Sequence, residues 1–411
     1  MQPFTSRGRQ LVSFKTAPSA TQPPEGVNEI VDLDLSDDQQ IFQSTARRFL
    51  EREVPMSRVR AFAENNVDLD RELWARAAEL GWFGCLVPEA DGGGSVSGAP
   101  VVDASLVAEE AGRALLPGPL MPSTIAAYAI AAVGSASQRA KHLPALVGGQ
   151  HLATNAFAED TGRWDVQGIA MQAVDHGRGF RLSGTKSFVQ DANAVDLLVV
   201  TARTTGGLTQ FLVPRETPGI AVRALESLDL ARGFADVEFD AVDIPTDAVL
   251  GEVGHASETF ELQCDIATVL VCSETVGALD RCYEMTLEYA RARKAFGRPI
   301  GSFQALKHRL ADMLLWLEGA KAITAAAAQA IDLDVDRAET VSIAKSYVSD
   351  RGPVIARDCL QMHGGIGYTW EFDLHFLLRR VDSNAALYGG VDHHRDRLAD
   401  LLGIGDGAPA Q

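Results

Sequence analysis

The chain has 411 residues, of which 46% are hydrophobic and 22% charged, so it is long enough for two or three domains of an ordinary globular protein. Its 55 acidic residues outnumber its 37 lysines and arginines, and the net charge of −18 argues against a nucleic-acid or anionic-membrane partner. No apolar run reaches the length of a transmembrane helix and no secretory signal is recognisable, so we expect a cytoplasmic protein that does not bind membranes.

Residues 1–30 contain several basic residues but no acidic residue before Glu25, and they end in the proline-rich segment TAPSATQPPEG. No apolar periodicity runs through them, so we predict a flexible tail. A basic, acid-free start also fits a mitochondrial transit peptide and hence the mitochondrial matrix. Its prolines disfavour the amphipathic helix that such a peptide forms, which makes this the weaker alternative.

The apolar period changes twice along the rest of the chain. Residues 31–151 have a helical pattern that starts after Ser36, a predicted N-cap. Residues 152–253 alternate with a period of two in segments such as FRLSG, TQFLVP and ADVEFDAVDIP, and residues 254–405 return to a helical period. These changes predict an α+β fold with an N-terminal α-helical domain, a middle β-barrel domain and a C-terminal four-helix bundle. The alanine-rich helices after residue 257 are expected to form the core of a tetramer.

Five cysteines lie scattered along the chain without CxxC spacing. This pattern indicates neither a disulfide framework nor a zinc site, and we expect no metal. We interpret these residues as reduced thiols in the core. They are Cys85, Cys264, Cys272, Cys282 and Cys359.

A basic turn joins two predicted helices near residue 296. Gly297 permits a left-handed backbone, and Pro299 prevents the first helix from continuing. Arg291, Arg293 and two further basic residues crowd this corner, which therefore suits an anion such as a phosphate. Alternatively, these cations are only the last turn of a helix, where they favour its dipole.

The sequence RxxFG at residues 293–297, with Gln304 shortly after it and QMHGG at residues 361–365, resembles the acyl-CoA dehydrogenase family. The α, β, α order matches that family over nearly the whole chain beyond residue 30. The resemblance implies that both motifs hold the pyrophosphate and adenosine half of FAD across a subunit boundary. The cofactor-binding residues it implies are Arg293, Phe296, Gln304, Gln361, Met362, Gly364 and Gly365.

Members of this family use a glutamate to remove the α-proton of an acyl-CoA, and this chain has none at the matching positions. The usual position corresponds to Tyr388 or Gly389, and the position used by other members corresponds to Ala267. The nearest carboxylates, Asp265 and Asp392, are displaced by a few residues, and proton transfer is sensitive to such displacement. We therefore expect no catalytic base here, with these two aspartates as the weak candidates.

The segments that hold the flavin ring in the family also differ here. The matching loop reads AEDTGRWD at residues 158–165, the family's tryptophan corresponds to Phe188, and its hydroxyl residue corresponds to Gln190. The residues that would be lent across the subunit boundary match the family, whereas those that hold the ring and substrate do not.

Two hypotheses follow from this asymmetry. In the first, the chain is the flavin-clamping, non-catalytic subunit of an α2β2 acyl-CoA dehydrogenase whose homologous partner supplies the base. The resemblance implies such enzymes in bacterial degradation of steroid side chains, and a fatty acyl-CoA is the other substrate class. In the second, it is a self-sufficient homotetramer, either a dehydrogenase with a displaced carboxylate or a flavin monooxygenase. The resemblance also implies an electron-transfer flavoprotein as acceptor.

Overall fold

The computed structural model describes residues 34–65 and 69–404. The predicted tail over residues 1–30 lies outside the described residues. Helices fill the first section, strands the middle section and helices the last section. This order confirms the predicted α+β class.

Among the described residues, six α-helices form the first section. The first begins at the predicted N-cap Ser36, whose hydroxyl accepts a hydrogen bond from the Gln39 backbone, while the Gln39 side chain accepts one from the Ser36 backbone. Proline at position 100 opens the fourth helix, where its missing N–H costs nothing. The helices are α1 (Asp37–Glu53), α2 (Met56–Asn65), α3 (Arg71–Ala78), α4 (Pro100–Ala114), α5 (Leu120–Val133) and α6 (Ala136–Val147).

The middle section is a single sheet of eight strands. They are β1 (Ala153–Ala156), β2 (Gln172–Asp175), β3 (Gly179–Gln190), β4 (Leu197–Thr204), β5 (Gly207–Pro214), β6 (Ile220–Leu225), β7 (Phe234–Pro245) and β8 (Val249–Leu250). The sheet runs in the order β6-β7-β3-β2-β4-β5-β8, and β1 pairs in parallel with β4. On β7, Val237 and Phe239 are buried while Glu238 between them is exposed, as the alternating period predicts.

Five α-helices form the last section as far as residue 404, where the described part of the chain ends. They are α7 (Ser257–Ala292), α8 (Gln304–Leu333), α9 (Arg337–His363), α10 (Leu374–Ala386) and α11 (Val391–Leu401). The central helix α7 packs against α4, α8, α9 and α10. It crosses α4 so closely that a Cβ on Gly277 would lie 1.8 Å from the carbonyl oxygen of Glu109. This helix is also long and apolar enough to cross a membrane, but 89% of its apolar window is buried, and packing within the protein accounts for its composition.

A buried network of charges joins the sheet to the last helices. Asp229 and Arg232 lie between β6 and β7, Glu274 lies on α7, and Arg380 and Asn384 lie on α10; each is at most 4% exposed. Glu274 accepts hydrogen bonds from Arg380 at 2.7 Å, from Asn384 at 2.9 Å and from Arg232, and Arg380 also pairs with Asp229. Although burial opposes ionisation, these guanidiniums hold the pKa of Glu274 below its ordinary value. The network connects α10 to α7 and to the loop between β6 and β7.

Candidate functional site

The RxxFG and QMHGG motifs lie at the same end of the helical section. Tyr289, in the last turn of α7, stacks on His363, the last residue of α9, with ring centroids 4.5 Å apart. RxxFG starts directly after α7, and QMHGG spans the end of α9. The structure therefore brings together two segments that are far apart in the sequence.

The RxxFG segment forms a small hairpin rather than a simple turn. Its strands, β9 (Lys294–Ala295) and β10 (Arg298–Pro299), pair antiparallel around Phe296 and Gly297. Phe296 has a left-handed φ of 51° and is 95% exposed. A bulky residue in this conformation is uncommon, and such outliers cluster at functional contacts. The geometry points to a contact outside this chain.

The remaining predicted clamp residues are mostly exposed. The Arg293 side chain has no hydrogen-bond or ion-pair partner among residues 34–65 and 69–404, so its guanidinium is available to an anion. A Cβ added to Gly364 or Gly365 would meet nothing within 4 Å, which leaves this stretch of backbone open. Gln304 and Gln361 are exposed, whereas Met362 packs against the main core.

The positions of the family's base have no room for a carboxylate. Gly389 has a φ of 96°, and a Cβ there would lie 2.4 Å from the imidazole Cδ2 of His393. Ala267 is 1% exposed and packs among the apolar residues of α4, α5 and α7. The third position that matches the family's base is Tyr388, which carries an aromatic ring instead of a carboxylate.

The two weak candidates for a base differ in their surroundings. Asp265 is 2% exposed; its carboxylate accepts a hydrogen bond from Arg397 at 2.7 Å and lies 3.4 Å from Arg337. These cations engage the carboxylate in ion pairs. Asp392 lies exposed in the first turn of α11.

The loop at residues 158–165, which matches the family's ring-binding segment, forms an internal ion pair. Glu159 accepts a hydrogen bond from the fully buried Lys186 at 2.7 Å and from the backbone N–H of Met171 at 2.9 Å. Burial lowers the pKa of Lys186 to about 8. On the same strand, Phe188 has a φ of 55° and is 44% exposed, while the Gln190 amide donates to a neighbouring aspartate at 3.1 Å.

An aromatic cluster fills the space between this strand and α7. The Phe157 ring lies 5.1 Å from Phe260, 5.6 Å from Trp164 and 6.0 Å from Tyr388, and Trp164 lies 5.3 Å from Tyr388. The cavity left beside Phe188 is only about 20 Å³, and a second cavity beside Ala267 is about 10 Å³. Such volumes suit roughly one water molecule each. Sequence reasoning missed this cluster, because only the fold brings its members together.

Outside the cluster lies a groove of about 930 Å³ between the 162–167 loop, α7 and α11. Burial lowers the pKa of His393, and it lowers that of His394 to about 3, so both rings are neutral at pH 7. Carboxylates outnumber guanidiniums in this groove by five to two. The carboxylates are Asp165, Glu261, Asp265, Asp396 and Asp400, and the guanidiniums are those of Arg163 and Arg397.

The two halves of the candidate site therefore differ in their fit to FAD. The exposed end with Arg293, Phe296 and Gly364 can hold a phosphate-bearing group that approaches from outside the chain. At the ring side, around Phe188 and Tyr388, the enclosed cavity of about 20 Å³ is too small for an isoalloxazine. An acidic groove is also unfavourable for the phosphates of a coenzyme A thioester.

Family models match almost the whole chain. The models described as acyl-CoA dehydrogenase N-terminal domain, middle domain and C-terminal domain match residues 36–150, 154–242 and 263–402.

Individual proteins and solved structures also resemble this chain over most of its length. Acyl-CoA dehydrogenase IpdE2 of Mycobacterium tuberculosis is 29% identical over 355 residues, which cover 85% of this chain and 93% of that protein. The ChsE4-ChsE5 complex from Mycobacterium tuberculosis contains a chain that is 26% identical with a TM-score of 0.83, covering 92% of this chain and 100% of that one. The structure of PigA with FAD and proline matches at 26% identity and a TM-score of 0.84, covering 91% of this chain and 99% of that one.

Proposed function

Because the chain belongs to the acyl-CoA dehydrogenase family of FAD-dependent oxidoreductases, we propose that it is the flavin-clamping, non-catalytic subunit of a heterotetrameric acyl-CoA dehydrogenase. One observation carries the proposal. At the clamp end, formed by Arg293, Phe296 and Gly364, Phe296 is exposed and the Arg293 side chain has no partner among the described residues, whereas the ring side is filled by aromatic side chains.

The reaction is the α,β-desaturation of an acyl-CoA thioester. FAD supplies the acceptor for the hydride that leaves the β-carbon. A positioned carboxylate must take the α-proton, and this chain holds none at the matching positions. In the proposed assembly, Arg293 would pair with the FAD pyrophosphate, and Phe296 with the Gly364 and Gly365 backbone would hold the adenosine half. The homologous partner subunit supplies the ring pocket, the base and the substrate site.

The self-sufficient homotetramer and the flavin monooxygenase both require a flavin ring within this chain. The cavity of about 20 Å³ beside Phe188 is too small for that ring, which argues against both alternatives. A displaced base would also have to be free to accept a proton, and Asp265 is held by two arginines. These observations favour the clamp over both alternatives.

The proposed partners follow from the clamp role. A matching chain occurs in the ChsE4-ChsE5 complex, which supports a heteromeric assembly here. We further infer an acyl-CoA of a steroid side chain or a fatty acid as the partner's substrate, an electron-transfer flavoprotein as the electron acceptor, and the bacterial cytoplasm as the compartment.

The experiment is co-purification with a homologous subunit that carries the glutamate. The complex should contain one FAD per heterodimer and dehydrogenate an acyl-CoA, whereas the chain alone should hold little or no FAD. A yellow, stoichiometric single chain that an acyl-CoA bleaches would overturn the proposal.

Arg293→Ala tests the clamp itself. It should weaken FAD binding by the complex roughly 10- to 100-fold, because a charged hydrogen-bonded phosphate contact contributes about 1.5–3 kcal/mol. Arg291→Ala removes an equally exposed charge two residues away and serves as the matched control. Equal FAD affinity of the two variants would mean that Arg293 is only a helix-end cation.

A further inference from the structure

Tyr388 stands where three separate spaces meet. It borders the outer groove of about 930 Å³, the cavity of about 20 Å³ beside Phe188 and the cavity of about 10 Å³ beside Ala267. Among the side chains described for this chain, it alone lines all three. Phe157, Trp164 and Phe260 each line two of them.

The backbone holds the Tyr388 ring at this junction. Tyr388 has a φ of 56°, which a large side chain adopts only when its surroundings fix it. His394 supplies one such constraint, because its Nε2 lies 3.0 Å from the Tyr388 carbonyl oxygen and donates to it. His394 is itself 1% exposed, so the constraint lies in the core rather than in solvent.

We propose that Tyr388 closes a ligand tunnel in this chain and thereby determines that the chain does not bind an acyl ligand of its own. Removing the ring would take away the wall that the three spaces share. The result would be one passage from the groove, past Phe188, to the chamber beside Ala267. This inference rests on the proposed function and extends it, since it names the side chain that closes the substrate side of the clamp subunit.

The lining selects the class of ligand that the opened tunnel would take. Its inner walls include the rings of Phe157, Trp164 and Phe260, which favour an apolar chain. Its mouth carries more carboxylates than guanidiniums, which repels phosphate. The opened tunnel should therefore bind an acyl chain with an uncharged head group more tightly than the same chain on coenzyme A.

The test uses the full single chain and the neutral dye Nile red, whose fluorescence rises in apolar surroundings. Tyr388→Ala should bind about one dye per chain at least ten-fold more tightly than the natural protein, a difference of about 1.4 kcal/mol. Trp164→Ala removes the neighbouring ring of the same junction and should also increase binding, which keeps the test decisive if Tyr388→Ala does not fold.

Two controls separate occlusion from a general cavity effect. Tyr388→Phe keeps the ring and should bind no more dye than the natural protein. Tyr347→Ala removes a partly buried tyrosine between α8 and α9, away from the three spaces, and should behave likewise. Equal binding by Tyr388→Ala and either control would overturn the proposal, as would unchanged binding in both Tyr388→Ala and Trp164→Ala.

Competition identifies the ligand class. The dodecanoyl thioester of N-acetylcysteamine should displace the dye from Tyr388→Ala at concentrations at least ten-fold lower than dodecanoyl-CoA. The reverse order would refute the assignment of an uncharged head group. None of these measurements involves FAD or the partner, so their failure is distinguishable from failure of the clamp role.

Discussion

Restoring the family's glutamate at position 389 should destabilise the protein without creating a base. In Gly389→Glu the new side chain must adopt a φ of 96°, which costs a non-glycine residue about 1–2 kcal/mol. Its Cβ also lies 2.4 Å from Cδ2 and 2.8 Å from Cγ of the His393 ring, so that ring must leave its rotamer at a further cost of about 0.5–1.5 kcal/mol. We expect the free energy of unfolding to fall by about 1.5–3.5 kcal/mol.

The assay is urea denaturation of the single chain, together with acyl-CoA-dependent dye reduction. Gly390→Glu provides the matched control, because Gly390 has a φ of −82° and its nearest neighbour atom, the Ala385 carbonyl oxygen, lies 3.9 Å from an added Cβ. It should cost about 1 kcal/mol or less, the preference for glycine at a helix N-cap. Equal stability of the two variants, or dehydrogenase activity from Gly389→Glu alone, would refute this reasoning.

Two further predictions concern buried carboxylates. Glu274→Ala should lower the free energy of unfolding by about 3–5 kcal/mol, because it leaves Arg232 and Arg380 buried without their shared partner; a loss below about 1 kcal/mol in urea denaturation would contradict this. Burial raises the pKa of Asp191 to about 6, above its unfolded value of about 3.9, so its contribution to stability is fully present below about pH 4 and is lost as pH rises through 6. Asp191→Asn should remove this decline, so that its stability relative to the natural protein increases between pH 4 and 7; denaturation midpoints that stay parallel across this range would count against it.

The fold could be predicted from the sequence because its signals are local. The N-cap at Ser36 and the alternation through Val237, Glu238 and Phe239 each encode burial within a few residues. The exposed Arg293 and Gly365 were likewise recognisable as candidates, because each belongs to a short contiguous motif. Whether these residues bind FAD stays a prediction.

The closure of the ring side could not be predicted because it is a product of distant contacts. Phe157 follows β1, Trp164 lies in a loop, Phe260 is on α7 and Tyr388 follows α10, and no spacing in the sequence relates them. The same holds for the ion pairs of Glu274, whose partners come from a sheet loop and from α10. The family motifs showed which residues this chain lacks. They did not show which side chains fill the corresponding space in the folded protein.

The contrast between the two halves has an energetic consequence. The aromatic cluster is explained by folding alone, because burying Phe157, Trp164 and Phe260 stabilises any chain that packs them. Folding does not explain Phe296, since a left-handed φ of 51° opposes folding and a 95% exposed ring gains no burial within this chain. The exposed Arg293 guanidinium, which has no partner among the described residues, adds no stabilising contact either. Folding therefore gives no reason for this conformation of Phe296, whereas contact with a group that this chain does not itself enclose would give one, as the proposed clamp role requires.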